Sequence, residues 1–157
     1  MSAAAASGAS GAPTAPGAEL FTDAWAAGWA REINASDPFR VAGAKWEDAL
    51  VLVMEPDPAL GVTVRRAVCV ELKRGECHAA RAARADDLEG APYVLFAPAA
   101  IWKEVLYGQM EPVSAVMLGL TNLSRGSIVT LAPHVTAAQH LLAAASRVPT
   151  VFPAGWE

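Results

Sequence analysis

The hydrophobic pattern near the start of the chain is that of a helix. Four large apolar side chains recur at every fourth position, namely Phe21, Trp25, Trp29 and Ile33. This spacing places them on one face of an α-helix, and Thr22 is of a residue type that caps a first turn. We therefore predict an amphipathic helix over residues 21–34 whose apolar face packs into the core.

Three strands are predicted after this helix. Residues 50–54 are a continuous apolar run, which is typical of a central strand covered on both faces. Residues 62–73 end in an alternating pattern, and the Arg74-Gly75 pair that follows favours a tight hairpin turn. Residues 78–86 then return as the third strand, although their alanine and arginine content favours a helix.

The second half of the chain mixes short strands with helices. In chain order we predict a strand at residues 93–96, a helix at 98–108, a short helix at 112–119, a strand at 128–131 and a last helix from Pro133. One hairpin and no regular βαβ repetition favour an α/β fold of the α+β type, in which helices pack on a mixed or mainly antiparallel sheet.

The two ends of the chain differ in composition from its centre. The first 19 residues are rich in Ala, Gly, Ser and Pro and offer few large apolar groups to bury. We predict a disordered tail at residues 1–19, one domain at 20–148 and a C-terminal extension at 149–157. The tail carries no positive charge and no leucine-rich stretch, so it is a poor secretory signal.

Charge, apolar run length and cysteine content limit the partners and the cellular environment that we expect. Lys and Arg number 12 against 16 Asp and Glu, and this net charge of −4 provides no basic field for nucleic acid. No apolar run reaches the roughly 18 residues that a membrane-spanning helix needs. The predicted hairpin places Cys77 opposite Leu72 rather than Cys69, so we expect no disulfide and a reduced, cytoplasmic setting.

The chain lacks the sequence motifs that indicate catalysis. No Gly-x-Ser-x-Gly elbow occurs, and no cysteine has a histidine in a suitable context. His134 and His140 are six residues apart on the last predicted helix, which places them on different faces, and His-x3-His or Cys-x2-Cys spacing is absent. We therefore predict no metal, no cofactor and no enzymatic activity.

A series of motifs between residues 92 and 142 follows a distinctive order. A strand is followed by a helix with a tryptophan and a Leu-x-Gly, an acid-Pro turn, a small helix ending in Met-x-Gly, and a glycine before the closing strand and last helix. The residues are Trp102, Leu106, Gly108, Glu111, Pro112, Met117, Gly119 and Gly126. This order resembles the sterol carrier protein type 2 family.

The N-terminal half is similar to bacterial members of the same family. Trp46 precedes the first predicted strand, and the hairpin ends in Gly75-Glu76-Cys77. The resemblance therefore covers about residues 20–147. Ser127 is a departure, because an acidic residue often follows the glycine at this point.

The resemblance implies a five-stranded mixed, mainly antiparallel sheet covered by about five helices. Between sheet and helices it implies a hydrophobic tunnel that accepts a fatty acid, a fatty acyl-CoA or a sterol-like lipid, without chemistry. Flexible thioethers suit a surface that adapts to varied ligands. The candidate ligand-binding residues are Phe96, Trp102, Leu106, Met110, Val113, Val116, Met117, Leu141 and Leu142.

Two alternative functions stay open at this point. One is an enzyme, or an enzyme subunit, that acts on a lipid-like substrate held in the same cavity. The other is an interaction or dimerisation module whose core is filled by its own side chains, which an exposed Trp156 or a bare apolar face would favour. The sequence leaves the oligomeric state and the identity of the ligand open.

Overall fold

The computed structural model describes residues 17–156, except for the side chains of Pro112, Val113, Met117 and Ile128. In chain order the elements are β1 (Ala18–Glu19), α1 (Asp23–Asn34), α2 (Asp37–Ala42), β2 (Ala49–Glu55), a 3₁₀ turn (Pro58–Leu60), β3 (Arg66–Lys73), β4 (Glu76–Ala82), α3 (Ala85–Gly90), β5 (Tyr93–Pro98), α4 (Ala99–Leu106), α5 (Pro112–Met117), β6 (Asn122–Arg125), α6 (Ile128–Leu131), a second 3₁₀ turn (Ala132–His134), α7 (Val135–Ser146) and β7 (Thr150–Val151).

Five strands form one sheet in the order β4-β3-β2-β5-β6. Strand β2 is parallel to β5 and antiparallel to β3, and the two outer pairs are also antiparallel. The predicted fold class is therefore confirmed. A parallel pair of short strands, β1 and β7, lies outside this sheet.

The first helix forms where the sequence predicts it but begins at Asp23 rather than at residue 21, because Phe21 has a φ of 64° and lies outside it. Thr22 caps it, since its Oγ1 accepts a hydrogen bond of 3.3 Å from the backbone N–H of Trp25. The aromatic face is fully buried, with Trp25, Trp29 and Ile33 at 0 % exposure. The helix packs across β3 and β4.

The β3–β4 hairpin has the predicted turn. Arg74 and Gly75 have φ angles of 53° and 82°, and two successive positive φ values give the tight turn that matches strand twist. Leu72, and not Cys69, is the residue that pairs with Cys77 across the hairpin. Both cysteine thiols are free.

The third strand is shorter than predicted. Strand β4 ends at Ala82 and helix α3 begins at Ala85, whereas the sequence predicted a strand as far as residue 86. The cause is local capping, because the backbone N–H of Arg84 donates a 2.9 Å hydrogen bond to the Asp87 carboxylate. The acidic residues in this first turn also suit the positive end of the helix dipole.

The predicted strand at residues 128–131 is wrong. These residues form α6, and the closing strand of the sheet is β6, which lies before Gly126 rather than after it. Gly126 turns the chain with a φ of 86°. Ser127 then caps the helix, since its Oγ accepts from the N–H of Thr130 at 3.2 Å, and this overrides the β propensity of the Ile-Val-Thr run.

The two ends of the described chain pack onto the domain. Ala18 and Glu19 pair with Thr150 and Val151, although we placed both segments outside the domain boundaries. Trp156 is 1 % exposed, and its carbonyl accepts a 2.7 Å hydrogen bond from the hydroxyl of Tyr107. Among the described helices, none is long and apolar enough to cross a membrane.

The sheet divides the apolar residues into two clusters. Along β2, Leu50 and Leu52 face the main core beneath α1, α4 and α7, whereas Val51 and Val53 face a smaller cluster with Cys69. Helix α3 contributes Leu88 to this smaller cluster, so the central strand is covered on both faces, as its continuous apolar run predicts.

Candidate functional site

An apolar cavity of about 130 Å³ lies between the sheet and helices α4, α5 and α7. Side chains of all these elements form its wall, together with residues just before β2, β6 and α7. The lining residues are Trp46, Leu50, Leu52, Leu95, Trp102, Val105, Ala115, Val116, Thr121, Leu131, Ala132, Val135, Ala138 and Leu142.

The floor of the cavity is set by strand alternation. Leu50 and Leu52 point to the face of β2 that lies beneath α1, α4 and α7. Leu95 of the parallel strand β5 pairs with Leu52 in register. Because side chains alternate between the two faces of a strand, these three leucines reach the cavity whereas Val51, Val53 and Phe96 face the other side of the sheet.

Helix α4 supplies a fixed aromatic wall. Trp102 is 2 % exposed, and its Nε1 donates a 2.9 Å hydrogen bond to the carbonyl of Val53. Val105, one helical turn later, continues the wall. This hydrogen bond between α4 and the sheet holds the indole in one orientation, and the indole ring contributes apolar surface to the cavity.

Two polar atoms of lining residues lack partners. The Nε1 of Trp46 and the Oγ1 of Thr121 are buried and have no hydrogen-bond partner among the described residues. The Trp46 ring stacks on His134 with centroids 5.0 Å apart and meets Tyr93 edge-on at 6.5 Å. Trp46 precedes the start of β2, whereas Thr121 lies beside the end of β5, so the two atoms belong to opposite ends of the cavity.

Two surface grooves share walls with the cavity. The first, which we call the Thr121 groove, is lined by Thr121 together with Glu55, Phe96, Ala97, Pro98, Gly119, Leu120, Asn122 and Ser124. The second, the α7 groove, shares Val105 and Leu142 with the cavity and also includes Met110, Glu111, Gln139 and His140. Thr121 therefore borders the cavity and one groove, and Val105 and Leu142 border the cavity and the other.

Three of the nine predicted site residues line the cavity. They are Trp102, Val116 and Leu142. Met110 lies in the adjoining α7 groove. Val113 and Met117 are on α5, but their side chains lie outside the described part of the structure. The role of each in ligand binding stays a prediction.

The remaining three predicted residues lie elsewhere. Leu106 and Leu141 are buried in the main core at 5 % and 0 % exposure without lining the cavity. Phe96 belongs to the cluster on the opposite face of the sheet and borders the Thr121 groove. Leu95, the residue before Phe96, lines the cavity instead.

Sequence reasoning missed several lining residues, chiefly on the sheet and at the ends of helices. Leu50 and Leu52 could have been proposed from strand alternation, but a strand that is apolar on both faces does not indicate which face carries the helices. Thr121 has no signal in the sequence, because it lies in a loop between two short elements. The other missed residues are Trp46, Leu95, Val105, Ala115, Leu131, Ala132, Val135 and Ala138.

Neither cysteine thiol is activated as a nucleophile. Burial raises the pKa of both Cys69 and Cys77 to about 11, so both thiols are protonated at neutral pH and are weak nucleophiles. His134 stacks on Trp46, whereas His140 lines the α7 groove. Over residues 17–156 no group of three or more His, Cys, Asp or Glu side chains is arranged to hold a metal ion.

Comparison with solved structures identifies close relatives. No protein-family model and no curated protein matches the chain. A crystal structure of sterol carrier protein 2 is 42% identical, with a TM-score of 0.75 over 83% of this chain and 99% of that one. A solution structure of a possible sterol carrier protein from Thermus thermophilus is 40% identical, with a TM-score of 0.76 over 92% of this chain and 99% of that one.

A more distant structure shares the fold alone. Palmitated SCP2L2 from Aedes aegypti is 14% identical, with a TM-score of 0.51 over 71% of this chain and 87% of that one. The first structure, in contrast, is matched over nearly its whole length at 42% identity. With its five-stranded sheet and apolar cavity, the chain belongs to the sterol carrier protein 2 family.

Proposed function

We propose that this chain binds a hydrophobic ligand in the cavity between sheet and helices and carries or buffers it without chemical change. The ligand is a fatty acid, a fatty acyl-CoA or a sterol-like lipid. The observation that carries the proposal is the cavity wall, which is apolar apart from the Thr121 hydroxyl and the indole nitrogens. Burial of an alkyl chain there provides about 0.8 kcal/mol for each methylene.

The size of the cavity defines how such a ligand is accommodated. A cavity of about 150 Å³ holds benzene, whereas sites for larger ligands occupy about 300 Å³ or more. At about 130 Å³ this cavity holds only part of a long chain. The rest of the ligand occupies one of the two grooves, after Thr121 or the Val105 and Leu142 side chains move aside.

The family relationship supports the same function. The two relatives at 40% and 42% identity are sterol-carrier-like across nearly their full lengths. The Aedes aegypti protein, which shares the fold, is palmitated in its solved structure. These relatives support a hydrophobic ligand without defining its head group.

The alternative of a filled interaction module has less support. That alternative predicts a core without a void and either an exposed Trp156 or a bare apolar face. The cavity is not filled by side chains. Trp156 is 1 % exposed, and its ring packs against the rings of Tyr107 and Phe152. Both observations favour the ligand-binding function. No arrangement of described side chains favours the enzyme alternative.

A cavity-filling substitution tests the proposal. Ala138→Phe places a ring in the cavity from α7, whereas Thr136→Phe adds the same ring to the exposed side of that helix. We expect native mass spectrometry of freshly purified full-length protein to detect a co-purified lipid. After its removal, wild type and Thr136→Phe should bind at least one of palmitate, palmitoyl-CoA and cholesterol, and Ala138→Phe should bind none.

Two results would contradict the proposal. One is that wild type binds no member of the panel by calorimetry. The other is that folded Ala138→Phe, verified by circular dichroism, binds as tightly as wild type.

A further inference from the structure

The apolar cavity opens towards α5 and the junction of α6 with α7. The lining residues on β2 and α4 are all buried. On the opposite side the lining residues retain contact with solvent, since Ala132 is exposed and Val116, Leu131 and Val135 are partly exposed. The mouth of the cavity therefore lies between α5 and the α6–α7 junction.

Three aliphatic side chains are exposed beside this mouth, and we call them the rim. Leu118 and Leu120 follow α5 and are 71 % and 36 % exposed, and Val129 on α6 is 80 % exposed. Leu120 also lines the Thr121 groove, which borders the cavity, and Val129 lies two residues before the lining residue Leu131. Single exposed apolar side chains are ordinary, whereas three beside one opening indicate a contact surface.

The two leucines of the rim are held by a defined helix end. The N–H of Gly119 donates to the Val116 carbonyl at 3.1 Å, and the N–H of Leu120 donates to the Ala115 carbonyl at 2.9 Å. With Gly119 at a φ of 73°, these two hydrogen bonds form a Schellman motif. The residue after the glycine often packs against the helix in this motif, but here Leu120 stays exposed. The backbone therefore fixes the position of the rim leucines.

The part of the chain that surrounds the mouth carries almost no charge. Of the 12 basic and 16 acidic residues, only Arg125 falls within residues 112–146, and residues 112–124 contain none. In the neighbouring Thr121 groove, Glu55 lies 3.4 Å from the Nε of Arg65, and this ion pair adds no net charge. Anionic membranes are recognised by clusters of about four to eight basic residues, which this region lacks. The rim therefore suits a partner that is recognised by apolar contact.

We propose that the rim docks onto the surface of a phospholipid bilayer without net charge, with the mouth of the cavity towards the acyl chains. Aliphatic side chains enter the boundary between head groups and acyl chains, whereas protein interfaces depend more on Trp, Tyr and Arg than on Leu and Val. A ligand then passes between bilayer and cavity without crossing water. The inference goes beyond the proposed function and rests on it only for this passage of the ligand.

Flotation of the full-length protein with phosphatidylcholine vesicles tests the docking. We expect wild type to float with the vesicles, and Leu118→Asp and Val129→Asp each to lower the partition coefficient at least about tenfold, because a charge replaces an aliphatic group that enters the bilayer. Val41→Asp is the matched control, since Val41 on α2 is 78 % exposed and lies outside the rim. Wild type that stays in the buffer, rim variants that float as wild type does, or an equal loss in Val41→Asp would overturn the inference.

Lipid charge and self-association separate this docking from other contacts. Replacing part of the phosphatidylcholine by phosphatidylglycerol should leave binding unchanged or weaker, because the chain has a net charge of −4. Binding that requires phosphatidylglycerol would place the contact on a basic surface elsewhere and overturn the inference. Sedimentation velocity without vesicles should show that the rim variants and wild type have the same mass. A wild-type dimer that Leu118→Asp dissociates would place a second copy on the rim and favour the interaction module instead.

Palmitate binding distinguishes the docking from the proposed function. Leu118 and Val129 do not line the cavity, so calorimetry should give the same palmitate affinity for both rim variants as for wild type. If one of the two loses this affinity, the flotation of the other decides. Vesicle binding without binding of any lipid of the earlier panel would contradict the proposed function and leave the docking in place. Binding of the panel without vesicle binding would overturn the docking alone.

Discussion

The helix-facing side of the sheet has a filled half and an open half. Over β3 and β4, helix α1 fills the space with aromatic rings, and the Trp25 and Trp29 centroids are 5.2 Å apart. Over β2 and β5, helices α4, α5 and α7 enclose the cavity instead. The two halves use the same apolar residue types, so residue type alone does not distinguish a core from a binding site.

The two halves differ in the hydrogen bonding of one tryptophan, Trp46. In the filled half, Trp25 Nε1 donates to Thr150 Oγ1 at 2.9 Å and Trp29 Nε1 donates to the Leu141 carbonyl at 3.0 Å. In the open half, Trp102 Nε1 is also paired, but Trp46 Nε1 lacks a partner among the described residues. Satisfied indoles and close packing stabilise the fold, whereas the open half retains volume and unpaired atoms that suit a ligand.

The largest expected effect compares two adjacent leucines of α7. Leu141 is fully buried away from the cavity, whereas Leu142 borders it. We expect Leu141→Ala to lower the free energy of unfolding by about 3 to 5 kcal/mol and Leu142→Ala by only about 2 kcal/mol, because fewer packing contacts are lost beside an existing void. Urea denaturation of both variants measures the difference. Equal losses would mean that the two halves are equally packed.

Most of the filled half was predictable from the sequence. The spacing of Trp25, Trp29 and Ile33 predicted α1, and the Arg74-Gly75 turn fixed the hairpin register that pairs Leu72 with Cys77. These features depend on local periodicity and turn chemistry, which a single sequence displays directly.

The open half was predicted less well, for two physical reasons. Strand alternation distinguishes Leu95 from Phe96 only when one knows which face the helices cover, and β5 is apolar on both. Residues 128–131 have strand propensity, but the cap supplied by Ser127 makes them helical. The face of Leu95 depends on tertiary packing, and the helix at residues 128–131 depends on one hydrogen bond. Residue propensity reveals neither of them.

A second prediction concerns ligand-dependent stability in the open half. A ligand at a hundred times its dissociation constant stabilises the fold by about 2.7 kcal/mol, which raises the melting temperature by roughly 5 to 10 °C. Leu142→Gln should reduce this rise strongly, because an unpaired amide beside the alkyl chain is unfavourable. Thr136→Gln, on the exposed side of α7, should preserve it. Thermal melts with and without ligand provide the test, and the same rise in both variants would contradict a ligand at Leu142.

A third prediction uses a thiol as a probe of the filled half. Burial raises the pKa of Cys77 to about 11 from 9.0, and Cys77 packs in the main core. The folded thiolate fraction at pH 8 is therefore about a hundredfold lower than in the unfolded chain, and it reaches one half only near pH 11. In a Cys69→Ala variant, we expect a thiol reagent to modify Cys77 at least about a hundredfold more slowly in the folded than in the unfolded protein.

Ligand binding should leave this reaction unchanged. A bound chain fills the open half, and Cys77 lies beneath α1 in the filled half, where its backbone N–H donates to Asn34 Oδ1 at 2.8 Å. The rate of Cys77 modification depends on local opening of the structure around the thiol. If a ligand altered this rate by more than about twofold, the filled half and the open half would be coupled in their motion.

The smallest expected effect concerns the N-terminal segment. We expect deletion of residues 1–16 to leave the melting temperature and ligand affinity unchanged, because their Ala, Gly, Ser and Pro composition offers little apolar surface to bury. Deletion of residues 1–21 is the matched comparison. It also removes Leu20, which is 0 % exposed and whose carbonyl accepts a 3.0 Å hydrogen bond from Arg66, and Phe21, whose ring lies 5.3 Å from that of Trp25. The longer deletion should therefore lower the melting temperature clearly while the shorter one does not. Equal losses from both deletions would place stabilising contacts within residues 1–16 and extend the filled half to the start of the chain.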